Sequence, residues 1–325
     1  MKRPLLSLLF SAAVAFASPA LACMNDYVPN VAAIERSKSV LDQLQKHTEK
    51  EPWEARRNRL RKELTAGGDY KVKNDLATAL AQTGEAAEAV TLLEQIEAEK
   101  PGLYVTAANL GTAYELSGDD EKALEWIRKG IELNADAHEG TEWLHVRILE
   151  AKLALKTDPK WLDAHSIVDP TKNLAAPGLF AAGNRGEKLS TKQIKNALIY
   201  QLHERLQFVR PPDAVVGSLL VELGCFIREE PPGTAAAQGV FALAATYLKD
   251  IPNVDSLQTI ADKLHLQAQR GWRSHTAIKY EVDRVALSIA GIAGVLLGTL
   301  LIGLKRLMQR KRAVQSATAH PNGAL

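Results

Sequence analysis

The stretch that decides the fold is Tyr70–Leu103, YKVKNDLATALAQTGEAAEAVTLLEQIEAEKPGL, followed directly by Tyr104–Ala137, YVTAANLGTAYELSGDDEKALEWIRKGIELNADA. The two segments align without a gap at a shift of 34 residues. Self-similarity at a fixed period of this size is the signature of a repeat architecture. The aligned pairs are Leu76-Ala77 with Leu110-Gly111, Leu80 with Tyr114, Gly84 with Gly118, Ala89 with Ala123, Leu93 with Ile127, and Pro101 with Ala135.

Each copy predicts two antiparallel helices. In the second copy, the small residues Gly111 and Ala123 allow the helices to pack closely, and Gly118-Asp119-Asp120 breaks the chain between them. The pattern resembles the tetratricopeptide repeat, in which a large-small pair and an aromatic residue lie on the first helix and an alanine marks the crossing of the second. The resemblance implies an all-α solenoid of helical hairpins, with copies at 70–103 and 104–137 and degenerate flanks that complete a repeat domain over 23–165.

The same resemblance implies which positions line the concave face, where proteins of this class bind protein or peptide partners. These positions form no strongly basic clamp, so we expect an extended or helical ligand with apolar side chains rather than an acidic C-terminal peptide. The implied partner-binding residues are Lys71, Asn74, Thr78, Val105, Ala108, Thr112, Glu115 and Leu116.

Segments on both sides predict further helices, because two repeats are fewer than such stacks usually need. Upstream, 33–50 and 52–65 are expected to pair as a hairpin. Downstream, Thr141–Lys156 occupies the phase of a first helix, but Asp158-Pro159 falls where the second should begin. Only a short turn around Trp161-Leu162 is left.

Residues 166–271 predict a loop and then more helices. Residues 166–189, with two prolines and three glycines, read as a linker or surface loop. Residues 190–271 predict a second helical segment with a degenerate repeat, in which Ser190 caps the first helix. The expected helices are 191–209, one from Pro211-Pro212 to Glu229, 234–249 and 255–269.

Residues 1–22 predict a signal peptide. Lys2-Arg3 precedes the apolar run Leu5–Ala17, and the small-residue site Ala20-Leu21-Ala22 follows. Cys23 comes next, as in bacterial lipoproteins, although Ala20 stands where those usually carry leucine. Lipidation of Cys23 therefore stays open beside simple cleavage.

Residues 285–304 predict a single transmembrane helix, because Val285–Leu304 is uncharged over twenty residues and such a helix spans the ~30 Å hydrocarbon core. Basic residues within 305–312 follow at once and favour a cytoplasmic tail over 305–325. Leader and tail together predict an inner-membrane protein whose residues 23 to about 283 lie in the periplasm.

Small residues recur at every fourth position of this span, which places them on one helix face. Such a stripe lets helix backbones approach within lipid and is typical of a homo-oligomer or of packing against a partner's helix. The residues are Ala286, Ala290, Gly294 and Gly298.

The net charge of +2 hides an acidic central part. Two basic residues lie in the predicted leader and five follow the predicted anchor. Without these seven, 33 basic residues stand against 38 acidic ones. A surface for nucleic-acid phosphates needs the opposite imbalance, so no nucleic-acid partner is expected.

The sequence predicts no catalytic, cofactor-binding or metal site. His138 and His145 lie seven residues apart, unlike a zinc-binding pair at a spacing of four, and solvated or capping roles are expected for them. A disulfide between Cys23 and Cys225 is possible outside the cytoplasm, but the apolar surroundings of Cys225 favour a buried thiol.

The leading hypothesis is therefore a non-catalytic, membrane-anchored scaffold that binds protein or peptide partners on its periplasmic concave face. The alternative is an envelope enzyme or thiol-redox component that uses Cys225 or His203-Glu204. A reactive, accessible Cys225 of low pKa would favour this alternative.

The topology is testable with reporter fusions after Thr276 and after Ala317. We expect an exported signal at the first junction and a cytoplasmic signal at the second, because the uncharged span lies between them. An exported signal at the second junction would overturn the orientation.

Overall fold

The computed structural model describes residues 24–30, 39–46, 49–173, 179–228, 234–251, 259, 261–264 and 266. Within these residues the regular elements are eleven α-helices and one short 3₁₀ helix at Ala137–Gly140, without a β-strand. The predicted all-α class is confirmed for this part of the chain. The α-helices are α1 (Val40–Gln45), α2 (Trp53–Thr65), α3 (Tyr70–Gln82), α4 (Ala86–Glu99), α5 (Tyr104–Ser117), α6 (Asp120–Leu133), α7 (Glu142–Thr157), α8 (Trp161–Ala164), α9 (Thr191–Arg205), α10 (Ala214–Arg228) and α11 (Thr234–Leu248).

Helices α2 to α7 follow the predicted repeat pattern, because each packs against the next along the chain. The pairs α3–α4 and α5–α6 correspond to the two aligned copies, and α3 also contacts α5. Gly84 and Gly118 stand in the two turns with φ of 85° and 89°. This left-handed conformation costs little for glycine alone, which explains the glycine at both positions.

A glycine also allows the close crossing within the second pair. A Cβ atom on Gly111 of α5 would lie 2.4 Å from Ile127 Cδ1 of α6, too close for any larger residue. The pair α10–α11 uses the same device, since a Cβ on Gly224 would lie 2.3 Å from Phe241 Cε1. The close approach of the two helices in each pair therefore favours glycine at positions 111 and 224.

The expected hairpin between 33–50 and 52–65 is wrong. Helix α1 contacts α9 and α11, whereas α2 packs against α3. Leu44 is fully buried in the core of the second half, and Leu41 lies where a Cβ on Gly239 of α11 would be. The apolar face of α1 is thus covered by residues far away in the sequence, which the local pattern does not indicate.

Two apolar cores are built around α7. The first joins α2 to α6 with Met24, and Leu149 of α7 belongs to it. The second joins α9 to α11, with Leu144 and Ile148 of α7. The predicted cap of α9 is confirmed: Ser190 and Gln193 form a reciprocal capping box.

The described part of 166–189 forms no helix, but it is held in the second core. Ile167 and Val168 are buried. The Glu222 carboxylate accepts hydrogen bonds from the Ser166 hydroxyl (2.9 Å) and from the backbone N–H groups of Ile167 (2.7 Å) and Val168 (3.1 Å). Burial raises the pKa of Glu222 to about 7 despite these donors.

Several sequence-based predictions concern residues outside the described ranges. These are the signal peptide over 1–22 with Cys23, the transmembrane helix over 285–304 with Ala286, Ala290, Gly294 and Gly298, and the tail over 305–325. In the part of the chain that is described, no helix is both long and apolar enough to cross a membrane.

The close crossing at Gly111 is testable by substitution. Gly111→Val should lower the free energy of unfolding by about 1–3 kcal/mol, because the new side chain overlaps Ile127. Gly130→Ala on α6 is the matched control, since its Cβ would lie 3.7 Å from the nearest atom, the backbone nitrogen of Ala108. Chemical unfolding followed by circular dichroism measures both, and equal effects would contradict the role of the crossing.

Candidate functional site

The groove between α3 and α5 is filled by the chain itself. We call residues 24–30 the N-terminal segment; it contains no helix or strand and lies against α2, α3 and α5. We call the surface beneath it the α3–α5 groove, formed by Arg56, Asn74, Asp75, Thr78 and Asn109. All five of these side chains are buried.

Two asparagines hold the backbone at Asn25. Asn109 Oδ1 accepts from the Asn25 backbone N–H at 2.5 Å, and Asn109 Nδ2 donates to the Asn25 carbonyl at 3.0 Å. Asn74 Nδ2 donates to the same carbonyl at 2.7 Å, and Asn109 Nδ2 also lies 2.9 Å from Asn74 Oδ1. Because these contacts involve main-chain atoms, they do not depend on the identity of the residue held.

Asp75 and Arg56 hold the main chain at Tyr27 and Val28. The Asp75 carboxylate accepts from the backbone N–H of Tyr27 at 2.6 Å and of Val28 at 2.9 Å. Arg56 Nη2 donates to the Val28 carbonyl at 2.6 Å. Side chains therefore bind both the N–H and the C=O groups of this main chain, which turns at residues 24–25 and bends at 27–28.

Arg56 is shared by two buried carboxylates. Its Nη2 lies 3.3 Å from Asp26 and 3.4 Å from Asp75. Burial raises the pKa of Asp26 to about 7, which Arg56 only partly offsets, and burial also raises the pKa of Asp75. One guanidinium facing two desolvated acids favours retention of a proton on the pair.

Side chains of the N-terminal segment also contact the helices. Met24 is buried in the first core, and the Tyr27 ring meets Tyr70 edge to face at 5.7 Å with Lys71 Nζ over its other side at 5.5 Å. Val28 is 65% exposed, and a cavity of about 420 Å³ opens beside it. The groove is thus closed around Met24 and open beyond Val28.

A buried ionic cluster lies at the other end of α5. Arg205 of α9 donates to both Glu115 oxygens at 2.7 and 3.1 Å, His145 Nε2 lies 2.8 Å from Glu115, and Lys152 donates to it at 3.1 Å. Burial alone would raise the pKa of Glu115, but Arg205 and Lys152 hold it well below its usual range. Burial lowers the pKa of His145, yet its hydrogen bonds to Glu115 and Glu142 outweigh burial and raise it.

His138 connects this cluster to the N-terminal segment. Its Nδ1 donates to Glu142, which also faces His145, and its Nε2 lies 3.2 Å from the Asn25 side-chain oxygen. His138 and Glu139 have φ of 49° and 58°, a conformation uncommon outside glycine. The strained turn therefore brings the imidazole to the groove.

The predicted partner-binding residues fall in two groups. Lys71 is exposed, and Val105 and Leu116 are partly buried. The rest are buried: Asn74 and Thr78 in the α3–α5 groove, Glu115 in the ionic cluster, and Ala108 and Thr112 on α5.

Sequence reasoning missed the residues that make most of the main-chain contacts. Asp75 and Asn109 stand 34 residues apart, at the same repeat position, where each is a polar residue directly before the large-small pair. That coincidence was a usable signal. Arg56 and Arg205 carried no such signal, because they lie outside the two aligned copies.

The expectation of solvated histidines is wrong for His138 and His145, which are both buried. His203 and Glu204 of the alternative hypothesis are also buried, and His203 Nδ1 donates to the Gln43 carbonyl at 2.5 Å. Cys225 is partly buried against the second core. Among the residues that the structure describes, no group of three histidine, cysteine or acidic side chains is arranged to hold a metal ion.

Comparison with known proteins adds no family assignment, since no protein-family model and no curated protein matches the chain.

The carboxylate pair predicts a pH dependence. The pKa of Asp26 is about 7 in the folded chain and 3.8 ordinarily, so its stabilising contribution is complete below pH 3.8 and is lost as the pH rises through 7. We expect the free energy of unfolding to fall by on the order of 2 kcal/mol more in the wild type than in Asp26→Asn between pH 5 and pH 7. Denaturant unfolding of both at several pH values checks this, and a constant difference would contradict it.

Proposed function

We propose that this protein is a non-catalytic, membrane-anchored scaffold that binds an extended segment of a protein or peptide in the α3–α5 groove. In this proposal α2 to α7 form a TPR-like solenoid on the periplasmic side. The single observation that carries the proposal is that a main chain without helix or strand already lies in this groove, held by side chains of α2, α3 and α5.

The chemistry of the groove favours an extended ligand over a helical one. A helix satisfies its backbone groups internally, so it would leave the buried Asn74, Asp75 and Asn109 without these partners. Leaving one such group unsatisfied costs about 1–3 kcal/mol. A segment without helix leaves its N–H and C=O groups free for these side chains, as residues 24–30 do.

In this proposal the predicted transmembrane helix keeps the scaffold at the inner membrane. A transmembrane helix over 285–304 with a basic tail would hold the groove near the outer face of the inner membrane. A partner that is itself confined to this surface meets the groove at a raised local concentration. The small-residue stripe of the span adds a possible contact with a partner's helix or a second copy.

Site-specific photo-crosslinking in intact cells tests the proposal. A photo-crosslinking amino acid at Lys71, beside the groove, should give intermolecular adducts of defined mass. The same group at Glu132, an exposed position on α6, should not. The adducts should disappear in Asn74→Ala/Asn109→Ala, because the side chains that hold a main chain are then absent.

Equal adducts from Glu132, or adducts that persist in the double variant, would contradict binding in the groove. Glu132→Ala serves as the control substitution, since it alters an exposed residue outside the groove.

A further inference from the structure

The segment that occupies the α3–α5 groove, residues 24–30, belongs to the same chain as the groove. The N-terminal segment begins two residues after the predicted cleavage site at Ala22. Its position therefore places the first residues of the exported chain in the groove that a partner is proposed to use. A second chain cannot bind the same main-chain partners while the segment is present.

The groove contacts the side chains of four successive residues of the segment. Met24 enters the apolar core, the Asn25 side chain meets His138 at 3.2 Å, and Asp26 faces Arg56 at 3.3 Å. Tyr27 is received between Tyr70 and Lys71. The groove thus has complementary partners for four successive side chains of the segment: an apolar residue, an asparagine, an acidic residue and an aromatic residue.

We propose that the N-terminal segment is an intramolecular ligand, and that the partner presents a segment with the same apolar-Asn-Asp-aromatic sequence that replaces it. This inference rests on the proposed function, because it names the ligand of the same groove. The segment keeps the groove filled until such a partner arrives.

Replacement is feasible because the open end of the groove offers contacts that the internal segment leaves unused. After Val28 the internal chain turns to Asn30, whose side chain and carbonyl are hydrogen-bonded to Glu51 and Lys50. The cavity of about 420 Å³ beside Val28 is lined in part by Arg59 and Lys71. A partner chain that continues past its aromatic residue can enter this space.

Tethering makes the internal segment a strong competitor. A short covalent link produces an effective concentration on the order of millimolar, so an external peptide of equal intrinsic affinity binds only weakly. Removal of the competitor should then strengthen the binding of an external peptide without any change in the groove itself.

The first test uses the unaltered full chain. The probe is a synthetic, isotope-labelled peptide of the sequence Met24–Asn30, added in excess, with a scrambled peptide as the control. Hydrogen exchange at the amides of Tyr27 and Val28, which Asp75 protects, should accelerate by about tenfold with the probe and stay unchanged with the scrambled peptide. Unchanged exchange at a saturating probe concentration, or equal acceleration by both peptides, would overturn the inference.

The second test weakens the contacts of the N-terminal segment so that it leaves the groove. A fluorescent form of the probe should bind at least about tenfold more tightly to Asp26→Ala/Tyr27→Ala than to the wild type. Adding Asn109→Ala should abolish this gain, whereas adding Glu132→Ala should preserve it. Equal affinity for the wild type and the vacated chain would overturn the internal-ligand role.

The two proposals fail in different ways. If the vacated chain binds the scrambled peptide as well as the probe, the proposed sequence is wrong, although groove binding stands. If photo-crosslinked adducts form at Lys71 while no probe binds, the inference fails and the proposed function survives. If neither adducts nor probe binding occurs, both fail.

Discussion

A partly buried stretch of main chain without helix or strand imposes the constraint on which this part of the molecule depends. Residues 25 to 28 cannot satisfy their backbone groups by a helix or a sheet, so side chains must do it. Asn74, Asp75 and Asn109 supply the partners from the faces of α3 and α5, and Arg56 supplies one from α2. Their buried amide and carboxylate groups would in turn be costly without the segment, so segment and helices stabilise each other.

A second requirement, that of a buried acid, joins the two halves of the described chain. Glu115 of α5 is compensated by Arg205 of α9, ninety residues away, and by His145 and Lys152 of α7. Breaking such a pair on one side leaves an uncompensated charge, which is strongly destabilising. The cluster therefore fixes α9 against the repeat helices. Through Glu142 and His138 it also reaches the Asn25 side chain, so the fold of the second half and the filling of the groove share one polar network.

The repeat region was predictable because its signals are local or periodic. The shift of 34 residues placed α3 to α6, and Gly84, Gly118 and Gly111 marked turns and a close crossing that the structure confirms. The same alignment pairs Asp75 with Asn109, so part of the groove could have been read from the sequence. The position of α1 on α9 and α11 could not, because an apolar helix face does not specify which distant face will cover it.

The sequence by itself determined the all-α class of the described residues, the helical pairs α3–α4 and α5–α6 and most helix ends, because spacing, glycine and capping residues act within a few turns. Only the tertiary structure decided what the groove contains. Residues 24–30 have no periodicity and would pass for a loop on their own. They acquire their role because folding brings Arg56, Asp75 and Asn109 together around them, and a hydrogen bond between residues 84 positions apart leaves no trace in local sequence.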